Sequence, residues 1–388
     1  MTRDDPLPGH GARIAHLIDT DGPGGAERML AQLAGELVRG GCPGVAFLPA
    51  DQEGWLSREL AAAGVTVEYF RHDRAFSPRL ARSLEAAFRH HQIDLAHSHE
   101  FNTAVYGAWA ARRAGIPHLI TMHGGRYYAG RLRRRLALRA AVAMSGRLVA
   151  VSQPLVSQLS HDLWIRPTRI TTIANGVRFT PAVRSTLRGE LALSNADRLV
   201  VAVGNLYAVK GHTHLLEALA QLASTYPQLH VAIAGRGELA GALERQAADS
   251  GLAARVHFLG LRPDIANILA AADVFVLPSL SEGLPLALLE AMFAARPIVA
   301  SAVGDVPVAL AGGAAGLLVP PGNPASLADA IHRLLTQPFE ARRLGTSAQA
   351  RAAAEYDVTR MVGRYAELYA RLLSRRREPV AAADPNPS

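Results

Sequence analysis

Two glutamates, Glu282 and Glu290, lie in the stretch ADVFVLPSLSEGLPLALLEAMFAARPIVASAV that runs from Ala272 to Val303. The apolar run Val274–Leu277 predicts a buried strand, and Pro297–Ala300 predicts a second. A short helix is expected between them. It would carry Pro285 in its first turn, where a missing N–H costs nothing, and end by Pro297, which cannot continue it. Glu282 then falls in the turn before the helix and Glu290 inside it. Gly283 and Leu284 would offer backbone N–H groups at the helix start, where partial positive charge and a glycine suit an approaching phosphate. Eight residues of helical rise span about 12 Å. A nucleoside-diphosphate sugar is about that long from sugar to ribose. One carboxylate could therefore hold sugar hydroxyls and the other ribose hydroxyls, with the diphosphate on the amides between them. Glutamates at this spacing also occur on plain exposed helix faces. What raises this pair is that Glu282 follows an apolar strand at its carboxyl end, where open α/β sheets bind ligands.

Lys210 is the only lysine of the chain; every other side chain of its class is arginine. It stands in GNLYAVKGH, after the strand-like run Leu199–Val203. A compact ammonium suits a point-charge contact that a planar guanidinium does not. Asp19-Thr20-Asp21 is a D-x-D pattern that can hold a divalent metal, but GPGGAER follows at once, and a turn leading into a helix accounts for it as well. His97 and His99 would share one face of a strand end. As a zinc pair they lack a third and fourth ligand, so no metal site is assigned. Ser152 and His161 make no convincing nucleophile and base, since no G-x-S-x-G elbow is present. No G-x-G-x-x-G follows the first strand, which argues against a dehydrogenase. The run Arg126–Ala140 clusters Arg131, Arg133, Arg134, Arg135 and Arg139 with Tyr127, Tyr128, Leu132, Leu136 and Leu138. It reads either as a solvated helix face or as a surface, Arg126 to Arg139, drawn to an anionic membrane or a lipid-diphosphate acceptor. No motif of nucleic-acid binding accompanies it.

The elements that must position these residues alternate. Strands are expected at Arg13–Ile18, Gly44–Leu48, Val65–Phe70, Leu95–His97, Pro117–Thr121 and Arg147–Val151, and again at Leu199–Val203, Leu229–Ala234, Val256–Leu259, Val274–Leu277, Pro297–Ala300 and Gly316–Val319. Helical stretches such as Ala26–Arg39 and Thr213–Tyr226 intervene. This rhythm predicts an α/β protein of two doubly wound parallel sheets. The expected divisions are 1–182, 183–355, a last helix at 356–374 returning to the first half, and a disordered tail at 375–388. A length of 388 residues, 49% hydrophobic and 19% charged, can bury two cores. No apolar run reaches membrane-spanning length and the N-terminus lacks a signal-peptide core, so the cytoplasm is the default, with a peripheral place on the inner face of the membrane open. The single cysteine, Cys42, excludes an intrachain disulfide. The net charge of +8 lies almost wholly before residue 181.

The motifs resemble a family: the retaining glycosyltransferases of the GT-B fold, glycosyltransferase family 4 (group 1). SEGLPLALLEAM followed by PIVASAVGDVPVAL carries most of the likeness. GGAERML, HSHEF, TMHGG, NGV, VGNLYAVKGH, AGRGEL, FLGLRPDI and GLLVPPGNP support it in order along the chain. The resemblance implies two Rossmann-like domains facing a cleft whose closure excludes water. It implies sugar transfer from a nucleotide-diphosphate sugar, with no cofactor or metal, to a saccharide, lipid-linked or small-molecule acceptor. By the same likeness Lys210 contacts the diphosphate with the amides of Gly283 and Leu284, Glu282 holds the donor sugar and Glu290 the ribose. Gly24 and Gly25 match a loop that lets backbone approach the donor, and His123 a histidine that touches the sugar or the acceptor side. His97 and His99 would line the acceptor side. Many relatives carry arginine where this chain has Asn205, so Arg236 or Arg262 is expected to supply the missing charge. Two other readings stay open: an inverting GT-B transferase or nucleotide-sugar epimerase with a base among Asp19, His99 and His123, and a catalytically lapsed scaffold of a glycan assembly complex.

Overall fold

Short apolar runs form thirteen strands among the described residues, and every ladder between them is parallel. Parallel strands are covered on both faces, which is why runs such as VFVL read as continuously apolar rather than alternating. The computed structural model describes residues 7–50, 54–71, 78–124 and 128–377. They belong to two units, one of residues 1–174 with 358–388, the other of residues 175–357.

In the first unit the chain runs β1 Ile14–Leu17, α1 Gly25–Arg39, β2 Gly44–Pro49, α2 Trp55–Ala62, β3 Thr66–Phe70, α3 Pro78–His90, β4 Leu95–His99, α4 Phe101–Ala114, β5 His118–Met122, α5 Leu132–Met144, β6 Arg147–Ala150, α6 Gln153–Leu163 and β7 Ile170–Thr172. The sheet order is β3-β2-β1-β4-β5-β6-β7. In the second unit it runs α7 Leu187–Glu190, β8 Arg198–Val203, α8 His212–Leu222, β9 Leu229–Ala234, α9 Ala240–Asp249, β10 Val256–Gly260, α10 Ile265–Ala271, β11 Val274–Leu277, α11 Leu286–Phe293, β12 Ile298–Ser301, α12 Val306–Ala309, β13 Leu317–Val319, α13 Pro324–Thr336 and α14 Pro338–Glu355. Its order is β10-β9-β8-β11-β12-β13. Each order reverses once, at β1/β4 and at β8/β11. Those are the positions where crossover helices leave to opposite faces and open a crevice at the strand ends.

The last helix, α15 Val358–Arg377, belongs to the first unit. Its Met361, Val362, Tyr365, Leu368, Tyr369 and Leu372 are buried against Ile14, Leu95, Leu119 and Val149 of the sheet and Met29, Leu33 and Leu37 of α1. Burial of one such side chain stabilises by about 1.5–3 kcal/mol, so this face is worth roughly 10 kcal/mol before the entropy of ordering the helix. Cys42 lies in the same cluster.

Three expectations need correction. The division between units falls after Ala174, not at 182, because the Asn175 side chain donates to the Leu284 carbonyl at 2.9 Å and the Val177 amide donates to the Tyr356 carbonyl at 2.9 Å. The strand β7 was not expected: its three residues follow a Pro167 turn and are too few to show a period. Pro285 caps α11 in extended conformation instead of standing in its first turn. No described helix is long and apolar enough to cross a membrane. The tail beyond residue 377 and residues 126–127 of the basic run lie outside the described residues.

Candidate active site

In the second unit the loops after β8, β11 and β12 meet around one acidic side chain. The Lys210 ammonium donates to Glu282 Oε1 at 2.7 Å, and the Ser279 hydroxyl donates to the same oxygen at 2.7 Å. The Glu282 side chain is 8% exposed and that of Lys210 26%, so the pair is partly shielded from water but reachable. Close backbone approach builds this geometry. Gly211, at φ +67°, leaves no room for a Cβ beside the Pro278 carbonyl. The Leu280 amide donates to the Val209 carbonyl at 2.8 Å, tying the Lys210 loop to the Glu282 turn. Gly304, at φ +54°, presses on the carbonyls of Glu282 and Gly283 in the same way, and the Asp305 amide donates to the Gly283 carbonyl at 2.9 Å. Only glycine adopts such positions without strain. Asp305 anchors the Gly283 carbonyl and with it the Leu284 amide of the same peptide, and Asn175 anchors the Leu284 carbonyl; among the described residues neither the Gly283 nor the Leu284 amide donates a hydrogen bond. Glu290, eight residues after Glu282, lies about one turn into α11 and is half-buried. An ammonium, two open amides and two carboxylates thus line the carboxyl ends of β8 and β11, at the order reversal of this sheet.

Asn205 and Arg236 are close in this unit. The Leu206 amide donates to the Arg236 carbonyl at 2.9 Å, and Gly235 packs against the Gly204 carbonyl where no Cβ would fit. Arg236 is exposed, and its guanidinium makes no hydrogen bond among the described residues. Arg262 differs. It donates to both carboxylate oxygens of Asp264, at 2.7 and 2.6 Å, and to Glu190 at 2.8 Å. These partners hold its pKa above the usual range and that of Asp264 well below the usual carboxylate range. Of the two arginines expected to compensate for Asn205, Arg262 is already committed and Arg236 is free to act. Beneath the loop, the buried His212 ring has its pKa lowered to about 4, chiefly by desolvation, against the backbone of Gly204 and Asn205, which favours the proton.

In the first unit, Gly24 caps α1 and Gly25 opens it. Glu27, in the first turn, is 8% exposed; burial raises its pKa, while bonds from Thr20 and its own backbone oppose the rise. The D-x-D pattern is structural. Asp21 accepts from the Gly54 and Ser57 amides and the Ser57 hydroxyl, all at 2.8 Å, and so caps α2. Asp19 accepts from Asn102 at 2.5 Å. His97 and His99, expected on the acceptor side, have no exposed surface. His97 binds Tyr369 Oη at 2.7 Å and Thr121 Oγ1 at 2.8 Å; His99 Nδ1 lies 3.0 Å from His123 Nε2. His123 is half-buried; its amide donates to Glu100 at 2.8 Å, and burial lowers its imidazole pKa to about 4.

Comparison with known proteins decides the family. Residues 23–180 match the family described as Glycosyltransferase Family 4, and residues 197–337 match Glycosyl transferases group 1. A D-inositol 3-phosphate glycosyltransferase of Frankia alni is 32% identical over 360 residues, covering 77% of this chain and 88% of that protein. The chain belongs to the family 4, group 1 glycosyltransferases. A UDP-Gal:alpha-D-GlcNAc-diphosphoundecaprenol alpha-1,3-galactosyltransferase of Escherichia coli is 33% identical over 236 residues, 56% of this chain and 60% of its own. The crystal structure of HepE from Anabaena in complex with UDP and glucose superposes with a TM-score of 0.80 at 26% identity, covering 92% of this chain and 99% of that one. A glycosyltransferase from Rickettsia africae, 18% identical, gives a TM-score of 0.83 over 93% of this chain and 98% of its own, a likeness of fold. The two parallel-sheet units are those of the GT-B fold.

The basic run of this glycosyltransferase is partly structural. Arg135 donates to the Asp162 carbonyl at 2.6 Å and lies 4.1 Å over the Trp164 ring, and Arg139 donates to the carbonyls of Leu163 and Trp164. Both therefore satisfy the end of α6. Leu132 and Leu136, 61% and 51% exposed, are left at the surface of α5 with Arg131 and Arg133. Ser152 caps α6, accepting from the Leu155 amide, and His161 is exposed, so no nucleophile site forms there. Sequence reasoning passed over Ser279 and His16, and met Asn175 only as part of the NGV motif. The contacts of Ser279 and Asn175 are visible only once the loops close on Glu282 and Leu284. His16 stands alone in its strand and gains meaning from its register with β4.

Proposed function

We propose that this glycosyltransferase moves a sugar, with retention at the anomeric carbon, from a nucleotide-diphosphate sugar to a hydroxyl of a saccharide, glycolipid or small-molecule acceptor. The observation that carries the reading is the Lys210–Glu282 pair beside the two open amides of Gly283 and Leu284. In the reaction the bond from the anomeric carbon to the diphosphate breaks, and negative charge gathers on the departing oxygens. The backbone amides stabilise that charge without reorganising, and the ammonium joins them once the diphosphate has drawn it from Glu282. Arg236 supplies a further cation near Asn205. Glu282 takes the donor-sugar hydroxyls and Glu290 the ribose. These groups supply the positive potential for the departing diphosphate, and the reading calls on no metal for this step. HepE, solved with UDP and glucose, supports the donor class. The names of the Frankia and Escherichia coli relatives support a small inositol-phosphate or a sugar-diphosphate-lipid acceptor. The parts of Gly24, Gly25 and His123 rest on the family likeness.

Thermal shift of the full chain with UDP, GDP and ADP tests the donor site, since a ligand bound only by the native state raises its melting temperature. One of the three is expected to do so, and the effect should vanish in Lys210→Met. Incubation with the matching α-linked sugar nucleotide and an acceptor panel, followed by NMR of the product, tests the stereochemistry. An α product is expected. A β product removes retention, and indifference to all three nucleotides removes the donor site.

A further inference from the structure

A row of polar side chains is buried in the first unit where apolar ones are expected. On the sheet face under α1 and α15, Ile14, Leu95 and Leu119 belong to the apolar core. Two residues further along the same strands, the face carries His16, His97 and Thr121, and then His99 and His123. His16 and His97 are register partners on β1 and β4, the strands on either side of the order reversal. His16, His97 and His99 are each fully buried. Among the described residues neither ring nitrogen of His16 has a hydrogen-bond partner, nor has Nε2 of His99. A buried polar atom left without a partner costs about 1–3 kcal/mol, so three in one place call for something that satisfies them.

The three rings offer one nitrogen each within 4.8 Å of one another. We propose that His16, His97 and His99 form a binding site for one divalent transition-metal ion, Zn²⁺ by the chemistry of its ligands. Neutral imidazole suits Zn²⁺, and no thiolate or carboxylate belongs to the set. Bonds of about 2.0–2.1 Å in a tetrahedral arrangement put ligand nitrogens roughly 3.3 Å apart, so the rings turn inward by a small amount when the ion enters. On two of the three rings the nitrogen turned away from the ion already has a hydrogen-bond partner, as in metal-bound histidines, while that of His16 has none among the described residues. With Nε2 of His99 on the ion, its Nδ1–H donates to His123 Nε2. With Nε2 of His97 on the ion, its Nδ1–H donates to Tyr369 Oη. Thr121 then yields its bond to His97 but keeps Tyr365 Oη at 3.1 Å. A three-nitrogen set leaves a position for a solvent oxygen. The ion acts structurally: it pins β1 to β4 and, through Tyr369, holds α15. The Lys210–Glu282 pair that carries the donor-site reading belongs to the second unit, so the two readings fail separately.

The test uses the full chain, stripped with chelator and titrated with Zn²⁺ and, separately, Co²⁺. One equivalent of Zn²⁺ should bind and raise the melting temperature by about 5 °C. Co²⁺ should give visible bands of a low-coordinate nitrogen site. Both effects should be lost in His16→Gln and kept in His230→Asn, which breaks the other close histidine pair, His230 with His257 at 3.1 Å. If His16→Gln does not fold, His99→Gln takes its place, and anomalous diffraction from Zn²⁺-soaked wild-type crystals locates the ion directly. No rise in the wild type, a response that survives in His16→Gln, or an ion found elsewhere overturns the proposal.

Discussion

Replacing Glu282 by glutamine sets two properties of the donor site against each other. In the free enzyme Glu282 neutralises Lys210 at 2.7 Å. At an effective dielectric constant near 20 the gross attraction at that distance is about 6 kcal/mol, of which about 1.5–3 kcal/mol survives desolvation as a hydrogen bond to a charged group. An incoming diphosphate must take the ammonium away from this carboxylate. Glu282→Gln keeps an oxygen for the Ser279 hydroxyl but removes the competing charge. Nucleoside-diphosphate affinity should therefore rise about tenfold or more, at about 1.4 kcal/mol per decade. The free protein should lose roughly 1–3 kcal/mol of stability as Lys210 loses its counter-ion. Turnover should fall by about 100-fold or more, because the sugar loses the acceptor that fixes it in the transition state. Calorimetric titration of wild type and variant with the nucleotide that shifts the melting temperature, urea unfolding, and initial rates give the three numbers. Weaker nucleotide binding in a folded Glu282→Gln refutes the reasoning: Glu282 would then organise the phosphate site through Lys210 instead of competing for it.

The remaining predictions concern the same unit. Arg236→Ala should weaken nucleoside-diphosphate binding by about tenfold, the loss of one charge-assisted contact, while Arg262→Ala should lower stability and leave that affinity unchanged. Equal effects in a titration of the two variants remove the assignment of Arg236. His212, held at about 4 against an ordinary 6.5, refuses in the folded state a proton that the unfolded chain accepts. Stability should fall as pH drops from 6.5 towards 4, by about 2 kcal/mol from this group between pH 7.5 and 5. Urea midpoints at those two pH values should differ less in His212→Asn, and an unchanged difference contradicts the stated cause.

The βα rhythm was legible because parallel strands are buried on both faces, which leaves continuous apolar runs such as VFVL and IVAS. The amphipathic face of α15 was legible for the same reason, each of its six marked positions being buried. Glu282 and Lys210 were legible as separate residues, one by its place after a strand and one by its rarity. Their union across 72 positions was not, since it depends on Gly211 and Gly304 letting backbone segments touch. The histidines show the opposite limit. Spacing put His97 and His99 on one face, but burial is a property of what packs above them, and α15 arrives from the far end of the chain. Arg262 is paired with Asp264 and Glu190, a competition for its guanidinium that no linear pattern displays.

The return of α15 to the first unit bears on synthesis at the ribosome. Residues 1–174 emerge first, yet the apolar surface formed by Ile14, Leu95, Leu119 and Val149 has no cover until residues 358–377 have been made. The second unit, contiguous from 175 to 357, can close as soon as it leaves the exit tunnel. The half translated first is thus finished last, and a nascent chain carries an uncovered greasy flank while more than 180 further residues are polymerised. Stalled or truncated products ending before Val358 become substrates for chaperones and proteases.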